Sequence, residues 1–245
     1  MSDNGKMTDH TVKAFSEQLE SLSSGVARMG GLAEAQLADA VEAIARRDTK
    51  LAEGAIAGDP RIDELQQQIE AQALKLLALR QPMAVDLRDT LAAIKIASEL
   101  ERIGDLAKNI AKRALVLNRE PPIRLTQSLA RMGRASLNQL KLVLDSYSDR
   151  DAKGAEAVWR NDGEIDEIYN SLFRELLTYM MEDPRTISLC THLLFVAKNI
   201  ERTGDHATNI AETVYHMVTG GHLAMERPKS DITSSTTVPF ERKSP

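Results

Sequence analysis

Aromatic residues, cysteine and long apolar runs are all scarce in this chain. Phe, Tyr and Trp make up only 4% of its 245 residues, while Ala, Leu, Glu, Gln and Arg dominate, a composition typical of all-helical proteins. The single cysteine, Cys190, cannot form a disulfide within the chain. No segment approaches the roughly 20 consecutive apolar residues that span a bilayer, and the N-terminal region lacks an apolar signal core. We therefore expect a cytoplasmic protein without membrane insertion.

Positive charge is not in excess either. The formal net charge is -5 at pH 7, whereas proteins that bind nucleic acids present a basic face to the phosphate backbone. Nucleic-acid binding is therefore disfavoured. Hydrophobic residues account for 42% of the chain, which is enough for one large or two modest domains to bury a core.

The most informative feature that is present is an internal repeat. Residues 101–111 read ERIGDLAKNIA and residues 201–211 read ERTGDHATNIA, so eight of the eleven positions are identical. We divide the chain into repeats at 10–119 and 122–220, as a duplicated unit. Shorter matches support this division at an offset of 103 residues, namely 27–30 with 130–133, 47–48 with 150–151, and 62–65 with 165–168.

Apolar residues at steps of three and four predict three long helices in each repeat. In the third helix of the first repeat they form a stripe that includes Ile96, Ile103 and Ile110, and such a stripe needs partner helices to cover it. The predicted fold is all-α, with two three-helix bundles related by internal duplication and six long helices in total. Residues 1–9 and 226–245 are polar, and we expect them to be disordered.

Each repeat carries two pairs of acidic residues with the spacing acid-x-x-x-Asp. Side chains four apart on a helix are neighbours, with about 5 to 6 Å between Cβ atoms, so two carboxylates can share a bound cation. Such hard oxygen ligands suit magnesium, manganese or iron better than a thiolate-loving metal. The acids of the third helices are predicted to lie on outer faces, away from the apolar stripe. The four pairs are Asp59 and Asp63, Glu101 and Asp105, Asp162 and Asp166, and Glu201 and Asp205.

Three further side chains are secondary candidates for metal ligation. Asn109 and Asn209 lie one helical turn beyond the acids of the third helices, and His206 directly follows Asp205. The position that matches His206 in the first repeat is Leu106, so the histidine is not part of the repeated pattern.

A simpler interpretation is that the acids form only a solvated surface, since carboxylates four residues apart are common on exposed helix faces. Their presence at matched positions of both repeats favours a shared site instead. Gly104 and Gly204 lie inside the repeated segment, where glycine costs about 1 kcal/mol relative to alanine, and they indicate close packing. Pro60 aligns with Gly163, so the second helix of each repeat either kinks or starts afresh beside its first acid.

These segments resemble the PhoU family of phosphate-specific transport system accessory proteins. The resemblance covers roughly residues 12–220. It implies two three-helix bundles related by a pseudo-twofold axis, a cytoplasmic protein that is often a homodimer, and no catalytic activity. Its specific marks are Arg-Gln-Pro at 80–82, Asp-Leu-Arg at 86–88, the segment 100–105 and the segment 197–212.

The resemblance also implies a role and a metal. Family members restrain the phosphate-starvation response by linking the ATPase subunit of the phosphate importer, PstB, to the sensor histidine kinase PhoR, and they limit uptake through that importer. Multinuclear iron or zinc, or magnesium or manganese, is implied at the four acid-x-x-x-Asp pairs. A departure from the repeated motif is Thr203, where the first copy has Ile103. Because the chain has no Gly-rich loop or Arg cluster, we expect any phosphate contact to be indirect or bridged by metal.

Two other classes of protein are weighed against this role. A di-iron carboxylate enzyme needs Glu-x-x-His on two helices that face a bundle interior, and no Glu in this chain has a His three residues on. The alternative is a helical scaffold without a phosphate-specific role, which either binds metal or carries its acids only for solubility. Metal analysis of the protein distinguishes these possibilities.

Overall fold

The computed structural model describes residues 4–121 and 126–223 together with Thr233, with side chains from Phe15 onward. Over these ranges the chain forms seven α-helices and no β-strand, which confirms the all-α prediction. None of these helices is long and apolar enough to cross a membrane. The helices are α1 (Asn4–Ala45), α2 (Thr49–Arg80), α3 (Val85–Leu117), α4 (Thr126–Ser148), α5 (Ala152–Arg160), α6 (Gly163–Glu182) and α7 (Ile187–Thr219), with a 3-10 turn at Pro184–Thr186.

The second repeat differs from the first because its middle helix is divided. In the first repeat α2 runs without a break through Pro60. In the second repeat α5 ends at Arg160 and α6 begins at Gly163, so a fresh start beside the first acid occurs only there. Asp162 precedes α6 without making a side-chain cap, whereas Asp59 is buried within α2. Taken together, α5 and α6 are the counterpart of α2.

The two ends of the chain carry the segments for which disorder is predicted. Helix α1 begins at Asn4, so its first turns occupy part of the 1–9 stretch. The 226–245 stretch lies outside the described residues, apart from Thr233. The proposed repeat boundaries at 10–119 and 122–220 stay predictions.

The repeated Arg-Asp dipeptide forms the turn between the first two helices of each repeat. Arg47 and Arg150 have left-handed φ angles of 57° and 53°, a conformation that commonly ends a helix. Asp48 and Asp151 then cap the next helix, each accepting a hydrogen bond from the backbone N–H two residues on, at 2.8 and 2.9 Å. The dipeptide therefore fixes the reversal of the chain in both repeats.

The predicted apolar stripe of α3 is buried, since Ile96, Ile103 and Ile110 are all fully enclosed. The matching stripe of α7 is buried in the same way. Helices α3 and α7 also pack extensively against each other. Buried residues of the two repeats therefore form one continuous hydrophobic core.

Glycines at matched positions let α1 of one repeat approach α4 of the other. A Cβ atom added to Gly30 would lie 2.6 Å from Leu144 Cδ2, and one added to Gly133 would lie 2.6 Å from Val41 Cγ1. Both the glycines and their partners are related by the offset of 103 residues. Such reciprocal contacts are the mark of an isologous interface, here formed between the two halves of one chain around a pseudo-twofold axis.

Replacing Gly133 by Ala should therefore destabilise the fold. Val41 cannot rotate clear of the new methyl group, because its Cβ as well as both Cγ atoms would lie within 3.2 Å of it. Overpacking of this kind costs about 1 to 3 kcal/mol, against which the gain in helix propensity is about 1 kcal/mol.

The matched control is Gly31→Ala, since nothing lies within 4 Å of a Cβ at that position. This variant should be stabilised by up to about 1 kcal/mol through helix propensity alone. Urea denaturation measures both changes. An equal increase in the free energy of unfolding of both variants would show that α1 and α4 can move apart without destabilising the fold.

Candidate metal centres

In each repeat, the structure brings the two acid pairs together across a helix interface. Asp59 and Asp63 on α2 lie beside Glu101 and Asp105 on α3, close enough for their charges to influence one another. These four residues form the first acidic cluster. The second acidic cluster contains Asp162, Asp166, Glu201 and Asp205, from α7 and from the region where α6 begins.

Four of the eight acids are buried, and one of them, Glu201, is on a third helix, so the prediction of an outer face is wrong for Glu201. Asp59, Asp162, Asp166 and Glu201 are each no more than 5% exposed. The prediction from helical periodicity considers only one packing partner for α3 and one for α7, namely the partner that covers the apolar stripe. In a three-helix bundle, the second helix also covers the flank that carries the acids. The solvated-surface interpretation therefore fails for these four residues.

The repeated glycine before the last acid permits this close approach. A Cβ atom at Gly104 would lie 3.1 Å from Ile62 Cδ1, and one at Gly204 would lie 2.9 Å from Ile165 Cδ1. A larger residue at either position would require the end of this isoleucine side chain to move away. This geometry agrees with the packing interpretation of both glycines.

Burial and repulsion by neighbouring acids raise the pKa of two carboxyl groups of the first acidic cluster, Asp63 and Glu101. Burial, followed by the charge of Asp59, raises the pKa of Asp63. Burial also raises the pKa of Glu101, and the other three acids of the cluster add to this effect while Arg102 opposes it. A cation placed among these groups would favour their charged forms.

A lysine already supplies such a cation to the first acidic cluster. Lys108 Nζ lies 2.5 Å from Asp59 Oδ2 and 3.0 Å from Asp105 Oδ1, and so bridges α2 and α3. The hydrogen bond to Asp59, with that to Asp105, raises the pKa of Lys108 above its usual value. The ammonium group thus stands between two carboxylates, where a shared metal ion would bind.

The second acidic cluster is organised differently, because the residue that matches Lys108 is Thr208. Thr208 Oγ1 lies 2.8 Å from Asp162 Oδ1, to which it donates a hydrogen bond. A cation comes instead from Lys198, whose Nζ lies 2.9 Å from Glu201 Oε2 as an ion pair without good hydrogen-bond alignment. Burial raises the pKa of Glu201, and Lys198 lowers it only in part.

Two repeat-related glutamines support the buried acids. Gln36 Nε2 donates to the carbonyl of Ala55 at 2.8 Å and lies 3.5 Å from Asp59 Oδ1. Gln139 Nε2 donates to Thr208 Oγ1 at 3.2 Å. Sequence reasoning missed both glutamines, although their offset of 103 residues was a usable signal. It missed the lysine and threonine because that position differs between the repeats.

The chemistry of both clusters suits a hard divalent cation, since carboxylate oxygens are the ligands that magnesium and manganese prefer. Within the described ranges, no three Asp, Glu, His or Cys side chains converge closely enough to hold a metal ion in this arrangement. A metal ion would therefore have to draw the carboxylates together and displace the ammonium groups of Lys108 and Lys198. The donor type fits a metal, and the present geometry does not.

Two of the secondary ligand candidates contact the other repeat instead. His206 Nδ1 lies 2.6 Å from Glu99 Oε2, and Asn209 Nδ2 donates to the same oxygen at 3.2 Å. Burial raises the pKa of Glu99, but these hydrogen bonds outweigh it, so that the pKa is below its usual value. Both residues therefore join α7 to α3. Asn109 is exposed on α3.

The burial of Glu201 predicts a pH effect that Glu201→Gln should reveal in metal-free protein. Because the pKa of Glu201 is raised in the folded state, its contribution to stability is present below the unfolded pKa and is lost as pH rises through the folded pKa. The glutamine does not titrate. The unfolding free energy of the variant should therefore improve relative to the parent as pH rises from about 4 to about 7.

Glu99→Gln is the control with the opposite sign, since the pKa of Glu99 is lowered. The contribution of Glu99 to stability is present above its unfolded pKa and is lost as pH falls through its folded pKa, so this variant should lose stability relative to the parent as pH rises from about 3 to about 5. Urea denaturation at several pH values measures both trends. A difference for Glu201→Gln that does not change with pH would mean that Lys198 fully compensates the burial.

Comparison with known proteins identifies the family to which this fold belongs. The PhoU domain matches the chain twice, at residues 26–114 and 129–214, and each match falls within one repeat. The phosphate-specific transport system accessory protein PhoU homolog of Caulobacter vibrioides is 58% identical over 229 residues, which cover 93% of this chain and all of that protein. The homolog of Rhizobium meliloti is 52% identical, covering 92% of this chain and 96% of the relative.

Solved structures give the same result. The crystal structure of PhoU from Pseudomonas aeruginosa has a TM-score of 0.82 at 38% identity and covers 84% of this chain and 100% of that one. The phosphate transport system regulatory protein PhoU from Streptococcus pneumoniae has a TM-score of 0.79 at 30% identity, covering 86% of this chain and 100% of that one. With both repeats matched by the PhoU domain, this chain belongs to the PhoU family.

Proposed function

We propose that this protein is a regulator of phosphate homeostasis that restrains the phosphate-starvation response and phosphate uptake. The observation that carries the proposal is the 58% identity to a phosphate-specific transport system accessory protein over that relative's whole length. The proposed partners are the ATPase subunit of the phosphate importer, PstB, and the sensor histidine kinase PhoR. In this role the protein is a non-catalytic adaptor, cytoplasmic and homodimeric.

The turn between α2 and α3 offers a surface for one of these partners. Three apolar side chains are exposed around it, with Leu79 at 67%, Met83 at 80% and Val85 at 46%. At the corresponding turn of the second repeat, Met181 is 66% exposed. Exposed apolar groups that lie together commonly mark protein contact sites. Two related turns, one in each repeat, suit an adaptor that contacts two proteins.

Deleting the gene should leave the phosphate-starvation genes switched on in high phosphate, which a transcriptional reporter measures. The full chain should restore repression. A chain that ends before Glu226 should also restore it, because that tail has too little apolar content to belong to the fold. Normal repression in the deletion strain would refute the regulatory role and leave the metal-binding scaffold as the better account.

Pull-down experiments with the separate partners then locate the contact surface. Leu79→Ser combined with Met83→Ser should weaken capture of one partner, with the fold confirmed by circular dichroism. Leu142→Ser is the control, since Leu142 is 47% exposed on α4, away from that turn. Unchanged capture of both partners by the double variant would remove this turn from the interface.

We further propose that the acidic clusters exchange their lysine ammonium groups for a divalent metal ion, with magnesium, manganese, iron and zinc as the candidates. The second acidic cluster should bind more tightly. At the position where the first cluster has a bridging ammonium, the second has the neutral hydroxyl of Thr208. Its own cation, Lys198, is 39% exposed, whereas Lys108 is only 25% exposed.

Thermal unfolding with manganese tests this proposal. At about 100 times its dissociation constant, the ion should stabilise the parent by about 2.7 kcal/mol per site, or about 5 to 10 °C. Lys108→Thr should increase the bound metal per chain, and Thr208→Lys should decrease it. A variant that combines four changes should lose most of the shift, these being Glu101→Gln, Asp105→Asn, Glu201→Gln and Asp205→Asn.

Metal analysis of the same four proteins is the direct readout. Equal shifts in the parent and the fourfold variant would show that these carboxylates are not ligands. The stability of the fourfold variant without metal is the baseline for its shift, because this variant loses the ion pair of Asp105 with Lys108 as well as the buried charge of Glu201.

A further inference from the structure

A cavity of about 200 Å³ opens where the start of α3 meets the end of α7, and its lining is basic. Arg88 and Lys95 reach it from α3, while His216 and His222 come from α7 and from the segment that follows. The chain as a whole carries a net charge of -5. Four basic side chains around one cavity therefore create a local positive potential that attracts anions.

Arg88 is held in place by the end of α7. Its Nε donates to the carbonyl of Met217 at 3.3 Å, and its guanidinium packs against Gly220, which ends α7 with a φ of 73°. An arginine anchored through Nε still has its terminal N–H groups, which bind two oxygens of an oxyanion at once.

The two histidines are also fixed relative to each other. His216 Nδ1 lies 3.0 Å from the carbonyl oxygen of Gly221, and because a carbonyl only accepts, Nδ1 carries the proton of this bond. Nε2 is then the ring nitrogen of His216 that can meet a ligand. The ring of His222 stacks on that of His216, with 4.6 Å between the centroids and 14° between the planes.

One acid and one hydroxyl complete the polar lining. Glu212 Oε1 accepts a hydrogen bond from Trp159 Nε1 at 3.0 Å, and the hydroxyl of Thr213 donates to the carbonyl of Asn209 at 3.0 Å. The threonine hydroxyl therefore donates its hydrogen bond within α7 and not to the cavity. Two permanent positive charges and two imidazoles face a single carboxylate, so the lining remains basic.

At the position related by the repeat, the same two helices are packed instead. The offset of 100 residues relates Lys95 to Phe195 and Thr213 to Arg113. There the guanidinium of Arg113 lies 4.2 Å from the centre of the Phe195 ring and its NH1 lies 3.2 Å from His192 Nδ1. A lysine and a short threonine in place of this stacked pair leave room for a ligand and supply a charge to hold it.

We propose that this cavity binds inorganic phosphate or an oxyanion of similar size. Its volume lies below the roughly 300 to 1,000 Å³ of pockets that enclose drug-sized ligands, so a single tetrahedral anion fits better than a nucleotide. Arg88 and Lys95 supply the compensating charge directly, and no bridging metal is needed. The proposal therefore differs from the expectation that any phosphate contact is indirect or bridged by metal, and the titration below decides between them. The occupied cavity would tie α3 of one repeat to α7 of the other.

Isothermal titration of the full chain with inorganic phosphate, in metal-depleted buffer, tests the site. We expect saturable binding of one phosphate per chain. Lys95→Gln should weaken it at least tenfold, and since Lys95 is exposed, unfolding does not explain such a loss. Lys112→Gln is the matched control, because Lys112 is exposed on α3 outside the cavity, and its affinity should equal that of the parent.

A second variant rebuilds the packed pair of the other repeat. Lys95→Phe combined with Thr213→Arg should keep the melting temperature and abolish phosphate binding. The proposal is overturned if the parent shows no saturable binding, if both cavity variants bind like the parent, or if binding requires added manganese. Capture by phosphatidylglycerol vesicles without binding of inorganic phosphate would also overturn it, in favour of a lipid headgroup. Because no partner protein is present, each of these outcomes leaves the regulatory proposal to its own genetic test.

Discussion

The contact between α3 and α7 is the constraint on which the rest of the structure depends. Each helix presents a buried stripe, which is wholly apolar in α3 and contains Thr203 in α7, and each helix packs against the other as well as against its own repeat. The two stripes are therefore buried in one continuous hydrophobic core. Glu99 on α3 also joins the two helices, because it contacts His206 and Asn209 on α7. Both acidic clusters lie on flanks of these same helices, and the basic cavity lies where their ends meet. The positions of all three sites are thus consequences of one packing arrangement.

Burying carboxylates is the unfavourable part of this arrangement. A buried charge left without a partner destabilises a protein by about 3 to 5 kcal/mol, far more than the few tenths of a kcal/mol between like charges on an exposed helix. The chain compensates with a bridging lysine in one repeat and a peripheral lysine in the other. A packed apolar pair would be at least as stable at such positions. Retaining four buried acids is easier to understand if a second cation exchanges with the lysines.

Much of the fold could be predicted because it is encoded twice. The apolar stripes and the glycines at 104 and 204 recur at a fixed offset, and they have the packing roles that the sequence predicts. The recurring Arg-Asp pairs marked only the repeat, and the structure shows that they form matching turns. The burial of Asp59 and Glu201 could not be predicted in the same way. A helical wheel describes one helix against one partner, while burial depends on how a third helix crosses the flank. The roles of Lys108 and Lys95 could not be found from the repeat at all, because the matching residues are Thr208 and Phe195.

The pattern of divergence between the repeats has a physical basis. At the pseudo-twofold interface the same contact occurs twice, once between Gly30 and Leu144 and once between Gly133 and Val41. An enlarged residue there meets a side chain that cannot move away, so change is opposed by overpacking. Two differences between the halves change charge instead, namely Lys108 in place of Thr208 at the first acidic cluster and Lys95 in place of Phe195 at the cavity. Neither position lies at the contact between α1 and α4, so the proposed differences in binding between the halves leave that contact unchanged.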